Sequence, residues 1–240
     1  MRLAARAVET PWGRDDGSGR KVGEIWFEAA DKRDLPLLVK YLFPEEKLSV
    51  QVHPDDEQAR ARGLANGKSE CWYVVAAEPG ARIGLGFERA LEPEELRAAA
   101  VDGSIERLMT WHSAHAGDFF SVPAGTVHAI GGGLTLIEVQ QPSDTTYRLY
   151  DYGRPRELHL DDAVAVAAAE PYPAALRRSG SGVLLEGPHF SVARLEAGDP
   201  DPLAGRARFL LPLDARECLF LEPGEALPAR SGPALLAAAP

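Results

Sequence analysis

The sequence predicts an all-β protein, either a sandwich or a barrel, from two observations. Short apolar runs alternate along the chain with turns that contain glycine or proline, and this alternation is typical of strands in antiparallel sheets. The 240 residues are enough for one large β domain or two small ones. The composition, 45% hydrophobic and 26% charged, is that of an ordinary globular protein and permits a buried core of this kind.

Five strands are predicted in the first two thirds of the chain, each from a short apolar or alternating run. They cover Leu37–Phe43, Leu48–His53, Cys71–Ala76, Phe119–Val122 and Leu134–Val139. Side chains alternate between the two faces of a strand. In the second strand we therefore expect Ser49, Gln51 and His53 on one face and the apolar residues on the other.

A few short helices are predicted between the strands. Asp55–Arg62 carries acids in its first turn and arginines in its last, as the helix dipole favours. Pro93–Ala100 has proline in its first turn and Gly103 beyond its end. Asp161–Ala169 is the third, and Pro171 stops it.

A domain boundary is predicted near residues 171–182, where proline, glycine and serine cluster. We expect a catalytic domain over 1–172 and a smaller β unit over 173–240. The smaller unit has four strand-like runs: Val183–Leu185, Phe190–Leu195, Phe209–Leu211 and Cys218–Leu221. Glu222–Ala229 is similar to the earlier turn segment Gly117–His128 but carries no histidine. This unit is therefore interpreted as a shortened, degenerate second copy of the first.

The charge of the chain excludes two classes of partner. The formal net charge is −10, and such a surface repels nucleic acid and anionic membranes, so we expect neither as a partner. A small anionic substrate would need a local group of cations to bind this chain.

The cysteines and the apolar runs favour a cytoplasmic protein. Cys71 and Cys218 are far apart and do not make a disulfide framework, which favours free thiols in a reducing compartment. The first ten residues contain no apolar signal core, and no apolar run approaches the roughly 18–20 residues that span a bilayer.

A metal site is predicted from four polar side chains on or beside the strands. Gln51 and His53 share one face, Glu70 opens the next strand, and His128 follows the turn at Pro123–Gly125. Two imidazoles, a carboxylate and an amide oxygen form a ligand set for one divalent ion. This mixed set leaves room for water or substrate, as catalytic rather than structural metal sites do.

Each ligand candidate also has an ordinary explanation. His53 alone would be a strand end, Glu70 a surface acid, and His128 a turn residue beside Gly131–Gly133. The joint pattern favours the metal site, because unpartnered polar groups on the inward side of apolar strands cost about 1–3 kcal/mol each.

Motifs around these residues resemble a known superfamily and, more narrowly, a family within it. Gly117-x5-Pro123-x-Gly125-x2-His128 is similar to the second conserved motif of the cupins, with Gly132 at a position where asparagine is usual. Three further segments resemble type I mannose-6-phosphate isomerases of the short bacterial kind, and Pro11–Gly13 fits that family's opening. These segments are Leu48–Asp56, Gly67–Tyr73 and Ser143–Arg148. The resemblance covers roughly residues 8–170 and implies a cupin fold, the double-stranded β-helix or jelly roll.

The resemblance also implies an activity and a set of site residues. The activity is a zinc-dependent aldose–ketose isomerisation that interconverts mannose 6-phosphate and fructose 6-phosphate, with one Zn²⁺ per chain or another divalent metal in its place. Its metal ligands would be Gln51, His53, Glu70 and His128, and its active-site arginine Arg148. Its polar pocket residues would be Lys40, Ser49, Lys68, Glu138 and Asp144.

The chemistry of these side chains suits such a reaction. Lys40, Lys68 and Arg148 provide the cations that a sugar phosphate needs in an acidic protein. Isomerisation moves a proton between C1 and C2 through an enediol and needs a polarised carbonyl and a base. Three candidates for the base stay open at this point: Lys68, Glu138 and Asp144. Arginine hardly deprotonates, so Arg148 is expected to stabilise negative charge.

Two other functions are compatible with the same residues. Two histidines and one carboxylate also hold Fe(II) in oxygenases, although Gln51 would then occupy a position that O₂ needs. A sugar-phosphate-binding cupin without catalysis is the second alternative. One departure from the family bears on specificity: longer members have a histidine before the lysine that matches Lys68, and this chain has Gly67.

Overall fold

The computed structural model describes residues 1–240 and consists mainly of antiparallel strands. Strands hold 40% of the residues and helices 12%, which confirms the all-β prediction. In chain order the strands are β1 (Ala4–Asp15), β2 (Lys21–Glu28), β3 (Leu38–Leu42), β4 (Val50–Val52), β5 (Glu70–Ala77), β6 (Arg82–Phe87), β7 (Met109–Ser113), β8 (Asp118–Val122), β9 (His128–Ile130), β10 (Leu134–Gln140), β11 (Tyr147–Tyr150), β12 (Arg177–Ser179), β13 (Gly182–Glu186), β14 (Ser191–Leu195), β15 (Arg208–Pro212), β16 (Leu219–Leu221) and β17 (Ala234–Ala238).

Four short α-helices connect the strands: α1 (Asp56–Ala61), α2 (Pro93–Asp102), α3 (Ile105–Leu108) and α4 (Leu160–Val166). A 3₁₀ turn covers Ala174–Leu176. No helix has both the length and the apolar character needed to cross a membrane.

The strands form three sheets that stack in layers. The first has seven strands in the order β1-β2-β3-β10-β5-β8-β12, and the second has five in the order β11-β4-β9-β6-β7. The third also has five, in the order β13-β14-β17-β15-β16. One apolar cluster fills the space between the first and second sheets, with Leu42, Val74, Leu136, Ile83 and Ile130 among its members.

Two further clusters cover the outer faces of this pair. The other face of the first sheet packs on the third sheet, where Tyr41 and Val139 join Phe209 and Leu235 in one cluster. The other face of the second sheet packs on α2 and α4 through Val50, Ala129 and their neighbours. Because side chains alternate along each strand, residues of even number on β3, β5 and β10 point between the first two sheets.

The predicted elements are confirmed with small changes in length. The five strands of the first part correspond to β3, β4, β5, β8 and β10, and the three helices to α1, α2 and α4. Asp55 caps α1: its carboxylate accepts the N–H of Gln58 while the Gln58 side chain accepts the N–H of Asp55. Helix α4 ends at Val166 rather than Ala169, since Ala167 is extended and Ala168 bridges Thr126.

Sequence reasoning missed eight strands: the long β1–β2 hairpin, the central strand β17, and the short strands β6, β7, β9, β11 and β12. Most side chains of β1 are exposed, so the hairpin lacks the apolar alternation that identifies a strand. The third sheet contains the four predicted runs in β13 to β16. The division at 172/173 stays a prediction: β12 lies beyond it and pairs with β8, and the first and third sheets share one apolar cluster.

Candidate metal centre

His53, Glu70 and His128 meet between the first and second sheets. His53 follows the end of β4, Glu70 begins β5, and His128 begins β9. One potential ligand atom from each lies within 4.8 Å of the other two. Nε2 of His53 is 3.4 Å from Glu70 Oε2, and Nε2 of His128 is 3.4 Å from Glu70 Oε1. All three side chains are buried, so the three donor atoms face one another in a space closed to solvent.

Backbone carbonyls hold both imidazoles in one orientation. Nδ1 of His53 is 2.9 Å from the oxygen of Thr145, and Nδ1 of His128 is 2.9 Å from the oxygen of Thr126. A carbonyl only accepts, so each Nδ1 carries the proton and each Nε2 directs a lone pair towards Glu70. Burial lowers the pKa of His53 to about 3 and also lowers the pKa of His128. Both rings are therefore neutral, which is the form that binds metals.

The donor atoms fit a divalent cation. His53 Nε2 and both carboxylate oxygens of Glu70 are buried without a hydrogen-bond partner. Buried polar atoms in this state cost about 1–3 kcal/mol each, and more for a charged group. A cation between them would satisfy all three, and His/His/carboxylate sets hold divalent transition metals.

Gln51 lies beside these residues but contacts them through its amide nitrogen. It is the register partner of His128, and its Nε2 is 3.1 Å from His128 Nε2. Its Oε1 accepts the hydroxyl of Ser49 at 3.0 Å. Half a turn about the last side-chain bond exchanges the oxygen and nitrogen positions of an amide. The oxygen can therefore reach the centre, and the ligand role of Gln51 stays a prediction.

Lys68 and Glu70 form a buried ion pair at the edge of this centre. Lys68 Nζ is 3.3 Å from Glu70 Oε2, and the Lys68 backbone N–H donates to Pro54. Burial alone would raise the pKa of Glu70, but the ammonium of Lys68 and the imidazoles of His53 and His128 together outweigh burial and hold this pKa well below the usual range. Glu70 is therefore a carboxylate, the form that a metal ligand needs.

A second polar cluster, Lys40 with Glu138 and Trp72, continues from the first along the inner face of the seven-stranded sheet. Glu138 on β10 is the register partner of Lys40 on β3 and of Trp72 on β5. Lys40 Nζ is 2.8 Å from Glu138 Oε1 and 3.4 Å from Glu24 Oε2. The indole N–H of Trp72 donates to Glu138 Oε2 at 3.0 Å.

The two clusters influence each other through charge. Burial lowers the pKa of Lys40, but the carboxylates of Glu138 and Glu24 outweigh burial and raise it. Burial and the nearby charge of Glu70 raise the pKa of Glu138, with Lys40 and Lys68 opposing them. Two ammonium groups face three carboxylates, so a bound divalent cation would leave one positive charge in excess. This charge suits an anionic ligand.

Arg148 and Asp144 lie at the margin of this region. Arg148 on β11 is the register partner of Gln51, and its Nε donates to the carbonyl of Glu157 at 3.0 Å. Burial, and then the charge of Arg156, lowers the pKa of Arg148. Asp144 is exposed and forms neither a hydrogen bond nor an ion pair through its side chain. It lines a cleft of about 710 Å³ together with Trp26, Asn66 and Ser143.

Close packing accounts for the two glycines that depart from the family pattern. A Cβ on Gly67 would lie 2.5 Å from the backbone carbon of Asp55. A Cβ on Gly132 would lie 2.3 Å from the carbonyl oxygen of Glu45. Neither position has space for a side chain, so this backbone accepts neither the histidine of the longer family members nor the asparagine that is usual in the cupin motif.

Trp72 is the site residue that sequence reasoning missed. The sequence places it only within the predicted apolar strand Cys71–Ala76 and the family-like segment Gly67–Tyr73, with no role of its own. A tryptophan in a buried strand usually finds a partner for its indole N–H. Glu138, a carboxylate in another apolar run, is therefore the feature of the sequence that could have indicated a partner for Trp72.

Two curated relatives align with most of the chain. A mannose-6-phosphate isomerase of Streptococcus mutans is 42% identical over 188 residues, which are 73% of this chain and 59% of the relative. A mannose-6-phosphate isomerase of Bacillus subtilis is 37% identical over 213 residues, which are 80% of this chain and 67% of the relative. The chain therefore spans less than two thirds of the first relative's length and about two thirds of the second's.

A solved structure shares the whole fold. The crystal structure of a mannose 6-phosphate isomerase from Bacillus subtilis superposes with a TM-score of 0.71 and 26% identity over 98% of each chain. The likeness confirms the predicted cupin fold. No protein-family profile matches the chain.

Proposed function

This chain belongs to the mannose-6-phosphate isomerase family, and we propose that it interconverts mannose 6-phosphate and fructose 6-phosphate. The observation that carries this proposal is the buried triad of His53, Glu70 and His128 next to Lys68, Lys40 and Glu138. A metal site joined to a proton-transferring carboxylate and two ammonium groups contains the parts that aldose–ketose isomerisation needs.

His53, Glu70 and His128 would hold the ion, with Gln51 as the fourth ligand through its amide oxygen. Zinc suits two imidazoles, one carboxylate and an open position. When bound, a divalent ion supplies Lewis acidity to the sugar's carbonyl and hydroxyl oxygens. The backbone carbonyls of Thr145 and Thr126 keep both imidazoles turned towards it.

Glu138 is the group we propose for proton transfer between the carbons. Its carboxylate takes the proton from C2 of the aldose, and the C–H electron pair becomes the C1–C2 double bond of the enediol. The same proton returns to C1 as the C2–O bond becomes the carbonyl, while a proton passes from O2 to O1. Burial, which raises the pKa of Glu138, favours this role because it brings the carboxylate closer to the working pH.

The other polar residues have supporting roles in this proposal. Lys68 and Lys40 balance the carboxylates and the negative charge of the enediolate, and Lys68 is placed to exchange protons with the sugar oxygens. Arg148, a half-buried residue on β11, would bind the phosphate or the enediolate. Asp144 is exposed, so we assign it to substrate entry rather than to the base.

We keep the cytoplasm as the proposed location, since Cys71 and Cys218 are buried free thiols.

A coupled isomerase assay on metal-loaded protein tests the proposal. We expect turnover of mannose 6-phosphate, one metal ion per chain, and loss of both metal and turnover in His128→Ala. Arg148→Ala should keep the metal and lose turnover. His115→Ala is the matched control, because His115 is exposed and pairs only with Asp118. Sugar-phosphate binding without turnover would support the non-catalytic alternative, and oxygen consumption would support the oxygenase.

A further inference from the structure

We propose that Trp72 is a positioning residue that fixes the carboxylate of Glu138 for proton transfer. The inference extends the proposed isomerase activity and depends on it. It assigns a role to a side chain that touches neither the metal ligands' donor atoms nor, by the proposed mechanism, the sugar.

Both oxygens of Glu138 are held from opposite neighbouring strands. Lys40 Nζ on β3 lies 2.8 Å from Oε1, and Trp72 Nε1 on β5 donates to Oε2 at 3.0 Å. The two contacts lie in one row of register partners across the sheet. A carboxylate held at both ends cannot rotate about its last side-chain bond, so its plane is fixed with respect to the space between the sheets.

An indole is suited to this task for two physical reasons. It donates a hydrogen bond and accepts none, and it does not titrate, so the donor to Glu138 is present at every working pH. It is also neutral, so it orients the carboxylate with less loss of basicity than a second cation would cause. Each carboxylate oxygen has about two acceptor sites, and one on each oxygen stays available for the sugar's proton.

The surroundings keep the indole itself in place. The Trp72 side chain is fully buried among apolar residues of both sheets, including Phe120 and Leu85. Its ring packs against the His128 ring in a T-shaped arrangement, with 5.3 Å between centroids. Trp72 therefore contacts both the carboxylate of Glu138 and the ring of His128, and so connects the two polar clusters.

The first test compares two Trp→Phe variants. Trp72→Phe should lower kcat by about 10- to 100-fold, the effect of losing one hydrogen bond to a charged group, and leave KM within about twofold. Trp111→Phe is the matched control, because Trp111 donates its indole N–H to the carbonyl of Glu106, outside both clusters. Metal content and the unfolding midpoint of each variant show whether the change acts through the metal or through folding.

A double-mutant cycle with Glu138→Gln separates positioning from a general structural role. If Trp72 acts through Glu138, Trp72→Phe should cause no further loss of kcat in the Glu138→Gln background. An additive loss, or a Trp72→Phe enzyme with wild-type kcat, would overturn the inference. Inactive wild-type protein would instead overturn the proposed isomerase activity, so the two failures are distinguishable.

A second variant keeps the test decisive if phenylalanine impairs folding. Benzothienylalanine at position 72 has almost the same shape as tryptophan but carries sulfur in place of the N–H. We expect it to fold and bind metal as the wild type does and to show the same fall in kcat. Wild-type kcat in this variant would show that ring volume, rather than the hydrogen bond, is what the site needs, and would also overturn the inference.

Discussion

Glu70 lies within 3.4 Å of three basic groups, the imidazoles of His53 and His128 and the ammonium of Lys68. It is 1% exposed, so each of these contacts acts in a medium that screens charge less than water does. Burial keeps the imidazoles neutral, and Lys68 together with the two imidazoles keeps Glu70 ionised. The three donor atoms that face one another are therefore all in the protonation state that binds a cation.

Glu70→Gln tests the charge at this position while the side-chain volume is retained. An amide is a weaker ligand than a carboxylate and leaves Lys68 without a partner, so we expect bound metal to be lost and turnover to fall at least about 100-fold. Metal analysis of the purified variant and the coupled assay measure the two effects. Glu57→Gln on the exposed side of α1 is the control, and metal retention in Glu70→Gln would contradict the assignment.

Asp56 gives a pH-dependent prediction at the same scale. Its Oδ1 accepts the N–H of Gly67 at 2.8 Å and the amide of Gln141 at 2.9 Å. These two contacts hold the pKa of Asp56 below its usual value, and the contact with Gly67 has the larger effect. The stability they contribute is therefore present above about pH 4 and is lost as the pH falls through the folded-state pKa.

Asp56→Asn removes the charge and keeps an acceptor oxygen. At pH 6 we expect the variant to be less stable than the wild type by about 1 kcal/mol. At pH 3 the difference should shrink, because Asp56 is then losing its charge in the wild type as well. Urea unfolding at both pH values measures the difference between the two proteins, and a gap that stays constant would contradict the assignment.

The segment between α1 and β5 shows how elements place a side chain in the site. The Lys68 backbone N–H donates to Pro54, and Gly67 packs on the backbone at the start of α1. Lys68 therefore enters the space between the sheets because the chain passes directly over the helix N-terminus. The capping box of Asp55 and Gln58 fixes that N-terminus in turn.

Gly67→Ala should displace this segment and move Lys68. The added Cβ would lie 2.5–2.8 Å from backbone atoms of residues 54–56, which cannot yield as a flexible side chain could. We expect a loss of about 1–3 kcal/mol in the free energy of unfolding, and reduced turnover. Gly205→Ala is the matched control because no atom lies within 4 Å of its Cβ position and its φ is not positive. Equal stability of the two variants would contradict the packing argument.

The whole molecule is layered: helices cover the second sheet, the second sheet covers the first, and the first packs on the third. The two polar clusters lie between the first and second sheets, at one end of an interior that is otherwise apolar. The third sheet contributes no residue to those clusters. Its part in the molecule is to bury the opposite face of the strands that carry Lys40, Glu70 and Glu138.

Phe209→Ala tests whether the parts before and after residue 172 fold as one unit. Phe209 is fully buried in the cluster that the first and third sheets share, and its ring packs on Phe220. We expect a loss of about 3–5 kcal/mol and one unfolding transition that also abolishes metal binding. Calorimetry measures the transition, with the exposed Val183→Ala as control. Two separate transitions would support independent units instead.

Local patterns predicted nine of the 17 strands and three of the four α-helices, but not which strands pair with one another. The alternation of Leu48–His53 placed Gln51 inward, and the proline and glycine at the ends of Pro93–Ala100 marked the helix that the structure contains. Strand β17 was not predicted, because an alanine-rich segment has low strand propensity. It lies at the centre of the third sheet, where burial between β14 and β15 overrides that propensity.

The sequence by itself determined the fold class, the family and the residue types of the candidate metal centre, because turns, alternation and motif spacing are properties of short segments. Only the tertiary structure decided that Glu138 lies between Lys40 and Trp72, although the indole and the carboxylate it binds are 66 positions apart in the chain. That contact depends on strand order: β10 inserts between β3 and β5. The order follows from how the whole chain buries its apolar faces, which no short segment encodes.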